Sequence, residues 1–414
     1  MLALLLSTLR IQTCLLLLFV GGLAVSGCGG SLVKQTEAEP RLTPNSPVTP
    51  PSIPMWLGTS ERNFYGSGPW PDRPLEIIWE FETKLTSGRL HKDGWGGSSW
   101  PGQPSVSGER VYFGSADGYL YCLNTRDGSL IWNYKTSDSL KTTPTLAGNK
   151  VITSGLDHYI YCLNVNDGSL LWKYKTGFEV DSSPAVINGR VYFGGEDGFF
   201  YCLSLEDGAL VYKTERLGSM EGSFSVVAGR IYIGTEQGDL YCLDIADGST
   251  IWKSSIGADS DSTPAVAKGF VYTAAENGYV YCFKQSDGDL VWKFKAEGGL
   301  SRVYKERSGF WASPVVNNDR IYIGSNNGHM YCLSSDKGEL IWKHLVRAPI
   351  WATSPVVDGR VVFGDKAGWM YMLSADDGQR LWELKIGENV NATPAILEGR
   401  IYIGAFNGKL FCLG

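Results

Sequence analysis

The sequence predicts an all-β fold: an eight-bladed β-propeller of four-stranded antiparallel blades, its ring closed by a strand from the N-terminal side. Three observations carry this. Residues 111–132 (VYFGSADGYLYCLNTRDGSLIW) hold two alternating apolar runs joined by Asp117-Gly118, and a second Asp-Gly, Asp127-Gly128, leads into a third run ending at Trp132. Period-two alternation marks half-buried strands, and Asp-Gly supplies the positive φ that tight hairpin turns demand. The stretch then recurs, indexed by Tyr121, Tyr161, Tyr201, Tyr241, Tyr281, Tyr331, Tyr371 and Phe411, at a step of 40 residues, or 50 before Tyr331. Such a period in four-strand units is the signature of propeller blades. Third, the ends complement each other. The chain stops at Gly414, after the third strand of unit eight, while Ile78-Trp79-Glu80-Phe81-Glu82-Thr83 matches the outermost-strand sequence Ile131-Trp132-Asn133-Tyr134-Lys135-Thr136.

Taken in order, residues 1–27 read as a signal peptide. Arg10 is the one charge, an apolar stretch covers 14–20, and Val25-Ser26-Gly27-Cys28 follows. An apolar run this short before small residues argues for a cleaved signal over a membrane span. A cysteine directly after the small residues resembles the bacterial lipoprotein signal, which implies cleavage before Cys28 and acylation of its thiol. Gly29 is not the aspartate that holds such lipoproteins at the inner membrane, which points to the outer membrane or cell surface. Residues 28–73 read as the lipidated cysteine and a tether. Six prolines fall in 37–54, with few large apolar residues, and Pro69, Pro71 and Pro74 continue the pattern. Such a segment cannot bury enough surface to fold alone and is extended and semi-stiff. Residues 74–414 are then one propeller domain, expected to be monomeric.

Composition narrows the partners. A formal net charge of −6 and a pI near 5.4 leave no basic footprint for nucleic acid. Seven of the nine cysteines recur at one position of the repeat: Cys122, Cys162, Cys202, Cys242, Cys282, Cys332 and Cys412. Packed sheets stand about 10 Å apart, too far for a disulfide, which needs Cα atoms within about 7 Å. Met372 takes the position once, as packing allows and bridging does not. These are expected to be buried free thiols. The four histidines are scattered and no metal-ligand spacing occurs, so no metal is expected.

Candidate binding residues come from the loops that vary. The links into each innermost strand lie on the face of the Asp117-Gly118-type turns, and the short Asp127-Gly128-type turns lie on the other. Variable loops on a fixed scaffold are where function sits. The position two before each innermost-strand Ser or Thr reads Lys141, Asp181, Glu221, Asp261, Trp311, Trp351 and Asn391. The insertion before blade six adds Arg302, Tyr304, Lys305 and Arg307, and the first link adds Trp95 and Trp100. Arginine and aromatics are enriched at binding hot spots, and the acidic arc opposite would orient a polar or charged ligand.

The repeat Gly-Arg-Val-Tyr-Phe-Gly-x-x-Asp-Gly-x-x-Tyr-Cys-Leu-x-x-x-Asp-Gly-x-x-x-Trp, read at residues 189–212 and lacking its tryptophan only there, resembles the PQQ-binding-like (quinoprotein-type) repeat. With the lipoprotein signal, the architecture is similar to the BamB family of the outer-membrane β-barrel assembly machinery. That resemblance implies a non-catalytic scaffold that binds proteins of the cell envelope and carries no cofactor. A ligand- or protein-binding propeller of another role at the cell surface is the alternative. Quinoprotein dehydrogenases share the repeat but are much longer and carry adjacent cysteines over the quinone, which this sequence lacks. Their resemblance would assign Asp181, Glu221 and Asp261 to a calcium ion beside pyrroloquinoline quinone; neither group is expected here.

Overall fold

Each blade begins at the channel and works outward. In blade three the innermost strand Ala185–Ile187 pairs with Arg190–Gly194, then Phe200–Ser204, then the outermost Leu210–Lys213. The first turn is Asn188-Gly189, both at positive φ (49° and 73°), as a two-residue hairpin with right-handed strand twist requires. Register puts Tyr192 opposite Cys202 and Cys202 opposite Tyr212, so this cysteine lies between two aromatics; Cys162 lies between Ile152 and Trp172. The computed structural model describes residues 52–83, 102–297 and 309–414. Within them eight such sheets form the ring, and there is no helix. The signal peptide, Cys28, Trp95, Trp100, Arg302, Lys305 and Arg307 lie outside the described residues.

The ring closes as the sequence predicts. Ile77–Glu82 pairs antiparallel with Lys409–Leu413, setting Trp79 opposite Cys412 and Phe81 opposite Leu410. The repeated tryptophan explains why the blades stay together. Its indole Nε1 donates to a main-chain carbonyl in the next blade: Trp79 to Thr125 (3.0 Å), Trp132 to Val165 (3.1 Å), Trp172 to Leu205 (3.0 Å), and so on to Trp382 with Leu75 (3.2 Å). Where blade three substitutes Tyr212, its hydroxyl donates to Ile245 O at 2.9 Å, so the exchange preserves the bond. The ring face lies on the Gly of the neighbour's Asp-Gly turn. A Cβ at Gly128 would stand 2.6 Å from the Trp79 ring, and one at Gly168 2.6 Å from Trp132. Glycine is therefore required there twice, for positive φ and for close approach.

One reading is corrected. Residues 52–73 are not tether but pack into the propeller. Ser52–Ile53 adds a fifth strand to blade one, pairing with Ser107 and Val106. Pro54 O then accepts from Leu146 N (2.6 Å) and Ser60 O from Val226 N (2.9 Å). Tyr65 Oη bridges both main-chain groups of Val316, Ser67 N donates to Ile396 O, and Trp70 Nε1 donates to Val357 O. The segment thus visits the innermost strands of blades one, two, four, six, eight and seven, at their ends on the face of the Asp127-Gly128-type turns. The physical reason is that innermost strands leave edge groups unpaired in the channel, and an extended chain satisfies them by adding to the edge. Arg62 anchors the crossing. Only 1% exposed, it donates to Phe224 O (2.9 Å), Trp56 O (2.8 Å) and Ser183 O (3.4 Å). Burial lowers its pKa to about 9.

Candidate functional site

With that segment across one end, the central channel becomes a cup open on the other face. Trp56 lies at its floor, and Lys141, Asp181, Glu221, Asp261, Trp311 and Trp351 line it, in a volume of about 70 Å³. Six of the seven predicted rim positions therefore converge. The seventh, Asn391, shares their register and is completely buried. A ring of bonds holds the rim in place, two residues further along each link. Thr143 N donates to Ser183 Oγ (3.1 Å), Ser183 N to Ser223 Oγ (2.9 Å), Thr263 N to Ser313 Oγ (2.9 Å) and Ser313 N to Thr353 Oγ1 (3.2 Å). Each hydroxyl satisfies the neighbouring blade's amide, so the side chains above it are fixed relative to one another.

The cup is two-sided. Blades three to five supply carboxylates, and sequence reasoning found only one tier of them. A second tier, Glu196, Glu236 and Glu276, comes from the turns between the second and third strands. It recurs at the same step of 40 residues, a signal carried by the Asp117-Gly118-type turns on the same face as the links. Backbone bonds bring the tiers together: Glu196 N donates to Glu179 O (3.1 Å) and Glu276 N to Asp259 O (3.0 Å). Carboxylate oxygens of Asp259, Asp261 and Glu276 lie within 4.8 Å of one another.

Crowding of like charges away from water favours their neutral forms. Burial first, then Asp181 and Glu179, raises Glu196 to about 8. Burial and Asp181 raise Glu221 to about 7, with Lys141 opposing. Asp261 is likewise raised, by burial, Glu221 and Asp259. Lys141 is the arc's cation. Its Nζ sits 2.5 Å from Asp181 Oδ2, both side chains being nearly buried. Burial pulls its pKa down, but Asp181, Glu221 and Glu196 outweigh that and hold it above the ordinary value.

Blades six and seven supply aromatics. The Trp311 and Trp351 ring centroids are 3.9 Å apart at 45°. Trp311 Nε1 donates to Glu276 Oε1 at 2.7 Å, which ties the aromatic side to the acidic one. Lys366 Nζ stands 3.4 Å from the Trp351 ring centroid, and burial lowers its pKa to about 8.

This is a quinoprotein-type propeller with a pocket at its axis. The chain belongs to the family described as outer membrane protein assembly factor BamB, whose profile matches residues 76–238, 178–254 and 236–414. No curated protein matches it in sequence. Among solved structures it is similar to BamB from Moraxella catarrhalis, at 21% identity and a TM-score of 0.53, covering 77% of this chain and 84% of that one. It is also similar to the quinohemoprotein alcohol dehydrogenase from Comamonas testosteroni, at 14% identity and a TM-score of 0.72, covering 88% and 80%. The computationally designed Ika8 protein has 15% identity and a TM-score of 0.68, covering 81% and 99%. At these identities the likenesses establish the fold.

Proposed function

We propose that this chain is a non-catalytic binding scaffold of the cell envelope, anchored by lipid at Cys28, and that its partner or ligand engages the face on which the cup opens. The carrying observation is the cup itself, where an acidic arc and a tryptophan pair meet above a floor closed by the chain's own N-terminal segment. Membership of the BamB family supports the envelope and a protein partner. The VSGC sequence at residues 25–28 supports the anchor, and Gly29 in place of an aspartate supports an outer-membrane location.

The quinone that the fold's dehydrogenase relatives suggest does not fit these residues. Pyrroloquinoline quinone is a planar tricarboxylic acid. The described lining offers Asp181, Glu221 and Asp261 against Lys141 alone, and Lys141 is already paired with Asp181. A volume of about 70 Å³ is room for roughly five waters, well below an ordinary cofactor pocket of about 300 Å³ or more.

Photo-crosslinking in the envelope tests the reading. A photoreactive residue at position 351 should give adducts, and one at position 127, on the opposite face, should not. Adducts from position 127 alone would place the binding face on the other side. Stoichiometric uptake of pyrroloquinoline quinone by the purified protein would replace the scaffold with an enzyme.

A further inference from the structure

Resting on that reading of the cup, the geometry points to its occupant: we propose that the cup takes a primary carboxamide, whose carbonyl accepts from the Trp56 indole and whose two N–H groups donate to Asp181 and Asp261. A small free amide and the side chain of a partner's asparagine or glutamine share this chemistry.

The unmet hydrogen bonds of the lining select this group. Trp56, on the plugging segment, lines the cup and is 7% exposed, and its Nε1 has no hydrogen-bond partner. An indole N–H can only donate, so the floor calls for an acceptor. On the wall, Lys141 takes Asp181 Oδ2. That leaves Asp181 Oδ1 without a partner, and Asp261 Oδ1 is also without one. A carboxyl keeps an acceptor oxygen whether or not it holds a proton, so the wall calls for two donors. Buried polar groups in native proteins are paired with few exceptions. A primary amide carries one acceptor and two donors on a single planar group. An ammonium has no acceptor, a carboxylate no donor, and an alcohol or secondary amide one donor only.

Charge and size agree with a neutral guest. Asp181 is already paired with Lys141. Burial and neighbouring carboxylates lift Glu221 to about 7 and Asp261 well above its ordinary value. Protons therefore meet part of the remaining negative charge at neutral pH, and the guest need bring none. The volume of about 70 Å³, room for roughly five waters, suits the end of one side chain. Neither tryptophan face is needed for it: Trp351 is covered by Lys366 and Trp311, so these rings act as wall. An asparagine or glutamine on a partner's loop would enter through the open mouth, on the face that the proposed partner engages.

Nuclear magnetic resonance on the purified mature protein with isotope-labelled tryptophan tests this, and Trp56→Phe assigns the Trp56 indole signal by removing it. Propionamide should move that signal saturably, with little change between about 50 and 500 mM salt, because a neutral guest is not screened. N-methylpropionamide, one donor short, should bind roughly tenfold more weakly, and so should propionamide to Asp261→Ala, each losing one hydrogen bond. Sodium propionate and propylammonium chloride should not bind. An unmoved Trp56 signal, with water as the only occupant, would overturn the proposal, as would equal binding of the two amides or of propylammonium. Tighter binding of N-acetyl-glutamine methylamide than of propionamide assigns the site to a partner's side chain; the reverse assigns it to a free amide. Crosslinks at position 351 without amide binding would leave the binding face standing and remove this occupant. Unfolding midpoints of the variants show whether a lost signal reflects a lost fold, and the two amides compared on the unaltered protein decide the point without them.

Discussion

Replacing Glu221 by Gln should stabilise the protein by an amount that grows as pH rises from 4.5 to 7 and is full above that. Folding lifts this carboxyl from an ordinary 4.5 to about 7, because it is buried beside Asp181. Between those pH values the unfolded chain has already ionised the group while the folded chain keeps it protonated. Stability is therefore intact below pH 4.5, drains away as pH rises to 7, and stays lost above. At about 1.4 kcal/mol per pH unit the ceiling on that loss is roughly 3 kcal/mol. Asp261 and Glu196 titrate with Glu221 and share it, so about half is expected from one substitution. Glutamine is nearly the shape of the protonated acid and carries no such penalty. Urea unfolding at pH 5 and pH 8 is the assay: a gain of about 1–2 kcal/mol at pH 8 that falls to a small fraction at pH 5. An equal gain at both pH values, or a loss at pH 8, would mean that the arc is not electrostatically strained.

Two further outcomes are expected. Trp79→Ala removes a buried indole that bonds Thr125 O and packs on Gly128 and Tyr402, and it should cost roughly 3–5 kcal/mol in the urea midpoint; an unchanged midpoint would refute closure through this strand. The seven propeller thiols are free and buried, and burial pushes Cys122, Cys332 and Cys412 up to about 12. A thiol reagent should accordingly find none in the native protein and seven after unfolding without reductant, whereas a count near one would mean disulfides.

The blades were legible because each repeats the same local chemistry. Asp-Gly fixes a turn, alternation fixes the faces, and the tryptophan one blade on needs that turn's glycine. A signal repeated at a constant step survives reading without neighbours. The first tier of the cup was legible for the same reason, since Asp181, Glu221 and Asp261 fall on the step. The second tier fell on it too. Glu196, Glu236 and Glu276 sit immediately before an Asp, Gln or Asn that leads to the turn glycine, and only the folded ring shows that these turns of the binding face reach the residues of the links. Residues 52–73 were misread for a different reason. Their contacts, from Ile53 to Val106, from Arg62 to Ser183 and Phe224, and from Tyr65 to Val316, occur once each and span large sequence separations. Proline content describes how such a chain behaves alone, not what an unpaired channel edge offers it.

That single-copy segment is what closes one mouth of the channel. The repeat already distinguishes its two faces by their links and turns, but it leaves the channel open at both mouths. Arg62 holds the segment across one of them. A guanidinium buried without a carboxylate is expensive, and it is tolerated because three carbonyls, from Trp56, Ser183 and Phe224, accept its donors. Two of those carbonyls belong to the ring and one to the segment itself, so the arginine secures the segment only when the ring is assembled around it. The same bond to Trp56 O helps fix the floor of the cup. Ring assembly, closure of one mouth and placement of the floor tryptophan are thus linked through one side chain. The remaining mouth is left with the acidic arc and the tryptophan pair.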